Sequence, residues 1–226
     1  REHYCDVLIN HNYTDRKDKY SSSLFKDTKL LLGPKFAIIG KEYKKYANKN
    51  FFDKNTFENI LVYFGSSDSH NITTKVLKVL LRPEFNKFTK NFVISNTNDH
   101  YENFFELSKK NKKINLFTDL PNLANLMSKS DVCIGAGGVT NLERLCIGLP
   151  SIVIAIADNQ LDSCQSLDNA GYIYFLGEAK DINPKDIYDN IRKIFDSTDN
   201  LKNKSVIGKS LVDGNGLKRI VKHIEN

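Results

Sequence analysis

The stretch DVCIGAGGVTNLERLCIGLPSIVIAIADNQ, residues 131–160, decides the fold of this chain. An apolar run at 131–135 predicts a buried strand, and four small residues follow at its end. The apolar spacing over 139–147 predicts a helix that ends at Gly148, and the apolar run at 151–156 predicts a second strand. A strand, a helix and a strand in this order predict the βαβ unit of a parallel sheet.

The same alternation continues on both sides of this unit. Further apolar runs predict strands at 60–64, 91–95, 114–117 and 172–176, with helical patterns between and after them. Together these make six parallel strands covered by helices on both faces. We therefore predict an α/β fold, with a complete doubly wound parallel-sheet domain over residues 51–226.

Residues 1–50 have a different pattern. CDVLIN and KLLLG predict two strands joined by a polar loop. Two strands do not make an independent fold. We interpret residues 1–50 as the end of an N-terminal domain together with the connector to the second domain, and we expect most of that first domain to lie upstream of Arg1.

The charge balance allows two interpretations of the surface. The net charge of +6 and the pI of about 9.0 suit nucleic-acid binding, but the lysines are scattered and no basic block alternates with aromatic residues. A solvated cationic surface is the interpretation that we favour, so no nucleic-acid partner is expected. A positive field would still attract an anionic small molecule.

Cysteine usage and hydropathy suggest a cytoplasmic setting. None of the four cysteines forms a C-x-x-C pair, which argues against structural zinc and favours a reducing compartment. No apolar run approaches the roughly 18–20 residues that span a bilayer, so no membrane partner is expected.

The small residues after the strand at 131–135 predict a phosphate site. Open α/β sheets bind ligands beyond the carboxyl ends of their strands. Glycines let the backbone approach a ligand closely, and a helix N-terminus adds free N–H groups and partial positive charge. The predicted site comprises Gly135, Ala136, Gly137, Gly138, Val139 and Thr140. Tight packing of strand against helix is the alternative, and the turn alone does not decide between them.

Three further features fall on the same predicted edge. Glu143 carries a carboxylate that suits a ribose diol, the alternative being a solvated or helix-dipole charge. Asn159 and Gln160 follow the next strand, where their amides could reach a sugar or phosphate, although Asn159 could instead cap a helix. A third polar turn, or an ordinary loop, follows the first strand of the domain and comprises Gly65, Ser66, Ser67 and Asp68.

Taken together these motifs resemble one family. KLLLGPKFAII, ILVYFGSSDSHNITTKVLKVL, SLVDGNGLKRI and the stretch at 131–160 are similar to the UDP-2,4-diacetamido-2,4,6-trideoxy-β-L-altropyranose hydrolases of pseudaminic acid biosynthesis and to spore-coat polysaccharide relatives. The N-acetylglucosamine transferase of peptidoglycan synthesis is a more distant likeness. The resemblance implies the GT-B architecture of two Rossmann-like domains, in which the C-terminal one, here 51–226, binds UDP.

The resemblance also implies roles for individual residues. The turn 135–140 resembles the diphosphate site, and Glu143 resembles the acid that binds the ribose. Asn159 and Gln160 resemble an Asn-Gln pair near the sugar and phosphates, which makes Asn159 the catalytic candidate in this chain. The turn 65–68 would border the cleft between the two domains.

The sequence departs from the family at one catalytic feature. Family members begin with a Gly-rich loop followed by a histidine that acts as general base, and neither is found in these residues. The resemblance therefore implies a general base upstream of Arg1. Of the five histidines, only His70, on the loop after 65–68, has a context worth testing.

The implied reaction is hydrolysis of a UDP-linked 2,4-diacetamido-trideoxyhexose to UDP and free sugar. Water would attack the anomeric carbon with inversion, while helix N–H groups stabilise the departing diphosphate. No acidic cluster stands near the turn, so no metal and no cofactor are expected. Two alternatives stay open: a GT-B glycosyltransferase that uses a UDP-sugar donor, and a UDP-sugar-binding fragment without activity of its own.

Overall fold

The computed structural model describes residues 4–14, 20, 28–47, 57–66 and 68–225. Ser67, one of the predicted site residues, and the predicted domain boundary at 50–51 lie outside the described residues. The described strands form two sheets, one of two strands and one of six.

The small sheet comes first in the chain. Strand β1 (Val7–Asn10) pairs in parallel with β2 (Lys29–Leu32), as the two apolar runs predict. Leu31 is buried against Phe36, whereas Leu30 is 39% exposed. The interpretation of residues 1–50 as the end of another domain stays a prediction.

The large sheet contains six parallel strands. In chain order they are β3 (Asn59–Tyr63), β4 (Thr89–Val93), β5 (Ile114–Phe117), β6 (Val132–Ala136), β7 (Ser151–Ala155) and β8 (Tyr174–Glu178). Their spatial order is β5-β4-β3-β6-β7-β8, and every neighbouring pair is parallel. The predicted doubly wound sheet is confirmed. The strand order reverses between β3 and β6, which is where such sheets bind their ligands.

Helices connect and cover the strands. They are α1 (Lys41–Lys44), α2 (Ile72–Leu80), α3 (Tyr101–Lys110), α4 (Ala124–Lys129), α5 (Val139–Ile147), α6 (Leu161–Asn169), α7 (Pro184–Phe195), α8 (Thr198–Leu211) and α9 (Gly216–Ile224). Short 3₁₀ helices occupy Pro34–Phe36, Pro83–Phe85 and Asp158–Gln160. Gly148 ends α5 with φ of 82°, as predicted, because its missing β-carbon allows this left-handed turn.

The six-stranded sheet has a core on each face. Along β3, Ile60 and Val62 point to one face and pack with residues of α2 and α7. Leu61 points to the other face, where α4, α5 and α6 cover the sheet. Because both faces are buried, β3, β6 and β7 are largely apolar rather than alternating, whereas β4 contains the buried polar residues Lys90 and Asn91.

The last helix joins the small sheet to the rest of the chain. Ile220 of α9 packs with Leu31 and Phe36. A β-carbon on Gly216 would collide with the Ala37 carbonyl group, so the helix lies directly against the backbone there. Arg219 donates a hydrogen bond to the Lys35 carbonyl oxygen at 2.9 Å, which adds a polar link. Within the described ranges, no helix is both long and apolar enough to cross a membrane.

Candidate functional site

A pocket of about 330 Å³ opens at the carboxyl ends of the strands, beside the point where the strand order reverses. That volume suits a small molecule. Its wall is formed by residues at the end of β3 and just after it (Tyr63, Gly65 and Ser66), residues 93–95 at the end of β4, residues 119–123 before α4, Thr140 and Glu143 of α5, and Tyr43 of α1. The chain therefore brings segments that are far apart in sequence together at one edge of the sheet.

Four of the predicted site residues line this pocket: Gly65, Ser66, Thr140 and Glu143. The others that the structure describes lie at the same edge of the sheet but outside the pocket wall. Asp68 is among them, and its carboxylate oxygens accept hydrogen bonds from the Ile72 and Thr73 amides, each at 2.9 Å. The buried Asp68 thus caps α2, as in an ordinary loop.

At the small-residue turn 135–138, tight packing of strand against helix accounts for some of the small residues, and an open backbone that a ligand could approach remains at another. A β-carbon on Gly135 would lie 2.6 Å from the Tyr63 carbonyl oxygen of the neighbouring strand, and Ala136 is buried. Gly137 packs against Cys164 with no room for a β-carbon. Gly138 differs, because a β-carbon there would meet its nearest atom at an ordinary 3.6 Å. Packing therefore explains why residues 135 and 137 are glycines, but it does not explain why residue 138 is one.

The start of α5 faces outward without a cap. Gly138 supplies no side chain, and no side chain of the described residues caps this helix. Val139 is 54% exposed, and Thr140 lines the pocket. The first amides of a helix have no partner within the helix and carry partial positive charge. This end of α5 can therefore receive an anion.

Gln160 supports the turn from the side. Its Oε1 accepts hydrogen bonds from the Gly137 amide at 3.2 Å and from the Ile156 amide at 3.1 Å. The side chain thus ties the end of β7 to the turn after β6. Asn159 is exposed on the same rim, and its side chain makes no hydrogen bond with any residue that the structure describes.

Glu143 is one of two acidic groups in the pocket wall, the other being Asp119. The Oε2 atom of Glu143 is enclosed and has no hydrogen-bond partner within 3.5 Å among the described residues, although the Tyr43 hydroxyl lies near enough to stabilise the carboxylate. Burial raises the pKa of the Glu143 carboxyl, and the nearby Tyr43 hydroxyl and Arg144 guanidinium offset part of that rise. Burial also raises the pKa of Tyr43 to about 12, and its hydroxyl accepts a hydrogen bond from the Leu123 amide at 3.3 Å.

Unpaired polar atoms concentrate on α5. In the described part of the chain, four buried side-chain atoms lack a hydrogen-bond partner, and three of them belong to Asn141, Glu143 and Arg144. Buried polar groups are normally paired, because leaving one unpaired costs about 1–3 kcal/mol. Three of the four atoms therefore lie on the helix whose Thr140 and Glu143 line the pocket.

The sequence-based prediction missed part of the pocket wall. Tyr43 lies in the predicted connector, and residues 119–123 have no predicted role in the site. The signal for 119–123 was available, since this polar loop follows a predicted strand at the same edge as the other two turns. Tyr43 carries no comparable signal, because packing against α4 and α5 brings α1 to the pocket.

His70 lies away from this pocket. It is exposed and borders a small cleft with Asp158, Glu178 and Lys180 beyond the ends of β7 and β8. The structure therefore gives no support to His70 as a group that acts inside the pocket.

The comparison that decides the family covers most of the six-stranded sheet and its helices. Residues 59–223 match the glycosyltransferase family 28 C-terminal domain. The chain belongs to this family. The pocket of the family 28 domain thus lies between β3, where the matched region begins, and α5.

Two relatives with names share this region. The spore coat polysaccharide biosynthesis protein SpsG of Bacillus subtilis is 26% identical over 219 residues, covering 96% of this chain and 63% of that protein. The UDP-2,4-diacetamido-2,4,6-trideoxy-beta-L-altropyranose hydrolase of Campylobacter jejuni is 24% identical over 173 residues, covering 76% of this chain and 60% of that protein. The family 28 chain therefore spans about three fifths of the length of these relatives.

A solved structure shows the same fold. The crystal structure of MurG from Acinetobacter baumannii matches with a TM-score of 0.64 at 15% identity, covering 97% of this chain and 66% of that one. The predicted GT-B fold class is confirmed by this likeness together with the parallel six-stranded sheet.

Proposed function

We propose that the pocket binds the uridine diphosphate part of a nucleotide sugar. The observation that carries this proposal is the Glu143 carboxylate, which lines the pocket with one oxygen enclosed and unpaired. A ribose presents two neighbouring hydroxyl donors, and a carboxylate accepts from both. A rotation about the last side-chain bond of Glu143 exchanges its oxygens, so the unpaired atom can reach a ligand.

The spacing along α5 fits a nucleoside diphosphate. Glu143 stands four residues after Val139, which places it about 6 Å further along the helix axis. A diphosphate at the amides of residues 138–140 would therefore leave its ribose near Glu143. Gly138 is the position at which the backbone is open to such an anion, since packing does not require a glycine there. The apolar wall at Val93, Ile94 and Leu123 would then receive the base.

The proposed reaction is hydrolysis of a UDP-linked 2,4-diacetamido-trideoxyhexose, as the name of the Campylobacter jejuni relative suggests. The oxygen of water would bond to the anomeric carbon, the bond from that carbon to the diphosphate would break, and UDP would leave with the electron pair. The positive end of α5 would stabilise the charge on UDP. Asn159 is proposed to hydrogen-bond the sugar or phosphate, and because an amide cannot accept the proton, the base is proposed to lie upstream of Arg1.

A glycosyltransferase is the second candidate, and the family match favours it. It would use the same UDP site, with a sugar hydroxyl in place of water. A longer protein that includes the upstream residues separates the two: a hydrolase releases UDP from the nucleotide sugar in water alone, whereas a transferase releases it at a rate that depends on an acceptor. By this proposal the 226-residue chain alone binds UDP and releases none from the sugar nucleotide.

Titration calorimetry tests the binding site. We expect UDP to bind more tightly than ADP or GDP, and Glu143→Gln to weaken UDP binding by about 1.5–3 kcal/mol, the value of one hydrogen bond to a charged group. Inorganic pyrophosphate, which has no ribose, should bind the variant as it binds the unmodified chain. Glu102→Gln, which removes an exposed carboxylate on α3, is the matched control and should change the binding of neither ligand.

Two results would overturn the proposal. Equal and weak binding of all three nucleoside diphosphates would indicate a general anion site. An equal loss of UDP and pyrophosphate binding in Glu143→Gln would place this carboxylate away from the ribose.

A further inference from the structure

Arg144 is a charged residue at the centre of the fold. It projects from α5 and has no solvent exposure at all. Its side chain turns back toward the start of the helix, where Nη2 donates to the Ala136 carbonyl oxygen at 2.6 Å and to Asn141 Oδ1 at 3.2 Å. Nη1 donates to Thr140 Oγ1 at 3.4 Å. The guanidinium thus lies beneath the turn that joins β6 to α5.

The charge of this guanidinium is not balanced by an ion pair. Among the residues that the structure describes, no carboxylate lies within 4.0 Å of Arg144, and its Nε has no hydrogen-bond partner. Buried charges are expected to be paired, because an unpaired one is costly in a medium of low dielectric constant. Glu143, the preceding residue, is near enough for Arg144 to influence the pKa of its carboxyl, but the two form no ion pair.

The position of Arg144 beneath the first turn of α5 adds to the excess of positive charge there. The first turn of a helix carries partial positive charge and normally attracts acidic groups. Here a full positive charge sits beneath that same turn, with Asn141 Nδ2 as a second buried donor that lacks an acceptor. The start of α5 therefore combines two sources of positive potential with unpaired donors. A bound anion would relieve this arrangement.

We propose that Arg144 is a fixed buried cation that makes the turn after β6 selective for a diphosphate over a monophosphate or an uncharged nucleoside. This rests on the proposed UDP site. Arg144 acts without touching the ligand: it holds the Ala136 carbonyl oxygen, so that the amides of residues 138–140 face outward, and it adds its charge from below. Arg144 is fully buried, so its field is weakly screened there.

The test compares two variants against ligands of increasing charge. Arg144→Met keeps a long side chain without charge, and Arg144→Lys keeps the charge without the planar fork of donors. Calorimetry would measure uridine, UMP, UDP and inorganic pyrophosphate with each protein. In Arg144→Met we expect a loss of roughly tenfold or more for UDP and pyrophosphate, as for removal of one charged interaction, a smaller loss for UMP, and no change for uridine.

Thermal melting of the ligand-free proteins separates electrostatics from folding. Arg144→Met removes an unpaired buried charge, which favours folding, and also removes the donors to the Ala136 carbonyl oxygen and Asn141 Oδ1, which opposes folding, so we expect a small net change in melting temperature. Arg144→Lys should bind UDP within about threefold of the unmodified chain at about pH 6.5 and more weakly at about pH 8.5, because burial lowers the pKa of a lysine ammonium and its charge is lost as the pH rises. If Arg144→Met fails to fold, Arg144→Lys and the pyrophosphate titration still decide the question.

Several outcomes would overturn the inference. An equal loss for uridine and UDP in Arg144→Met, or a UDP affinity in Arg144→Lys that is as poor as in Arg144→Met at both pH values, would make Arg144 a purely structural residue. Failure of the unmodified chain to bind pyrophosphate would remove the anion site altogether. Pyrophosphate binding that depends on Arg144 without a preference for UDP would instead contradict the proposed function and leave this inference standing.

Discussion

The Cys164 thiol donates a hydrogen bond to the Gly137 carbonyl oxygen over 3.9 Å, and the α-carbon of Gly137 lies against the same sulfur. The turn after β6 is thus packed on α6. Gly137→Ala should destabilise the protein by about 1–3 kcal/mol, the usual cost of overfilling a packed site, as measured by urea unfolding.

Removing the Cys164 sulfur provides the control for Gly137→Ala. In a Cys164→Ala background the obstructing atom is gone, so Gly137→Ala should cost less than it does beside the thiol. An equal cost in both backgrounds would show that the strain comes from the backbone and not from Cys164.

Gly138→Ala, unlike Gly137→Ala, should leave the stability of the protein nearly unchanged and weaken UDP binding. A methyl group at Gly138 has room in the fold, so the free energy of unfolding should stay within about 0.5 kcal/mol of the unmodified value. The same methyl group would stand where we place the diphosphate, and UDP binding should weaken in calorimetry while uridine binding does not. Unchanged UDP affinity would move the phosphate site away from this residue.

Gln160 should stabilise the turn through its side-chain oxygen. Gln160→Leu keeps much of the volume but leaves the Gly137 and Ile156 amides without their acceptor, so a loss of about 1–3 kcal/mol is expected in urea unfolding. Gln165→Leu, an exposed position on α6, is the matched control. Similar stability of the two variants would mean that water replaces the Gln160 amide without cost.

Much of the fold follows from the sequence. Strands buried on both faces are continuously apolar, so β6 and β7 are visible as unbroken runs, and the ends of such strands locate the ligand edge. The choice between packing and binding at the small-residue turn was not predictable. Gly135 and Gly137 are small because Tyr63 and Cys164 press on them, and these partners are distant in sequence.

Arg144 could not be assigned from the sequence for a similar reason. Arginine among Leu142, Leu145 and Cys146 resembles a surface residue beside an apolar face. Only the backward direction of its side chain, under the preceding turn, brings its charge into the core.

The stability of the ligand-free protein should depend on pH through Glu143. Burial raises the pKa of this carboxyl above its ordinary value of 4.5, so folding favours the protonated acid. The stability contributed by that proton is complete below 4.5 and is lost as the pH rises through the higher folded pKa. Glu143→Gln, which cannot ionise, should therefore raise the melting temperature at about pH 8 and not below pH 4.5.

The exposed carboxylate of Glu102 serves as the reference in the same melts. Glu102→Gln should change the melting temperature little across the range. A melting difference for Glu143→Gln that is constant with pH would mean that the carboxyl ionises in the folded protein as it does in the unfolded chain.

The register of the central strands determines when a nucleotide could first bind during folding. β3 pairs Ile60 with Val132 of β6, and the pocket lies at the junction of those two strands. The earlier units of the sheet, β3 with β4 and β4 with β5, contain only part of the wall. Closing the long loop between β3 and β6 costs conformational entropy, and pairing between such distant strands is slow. A nucleotide would thus bind only after β3 and β6, the strand pair most distant in sequence, have come together. Binding should therefore slow unfolding without accelerating folding.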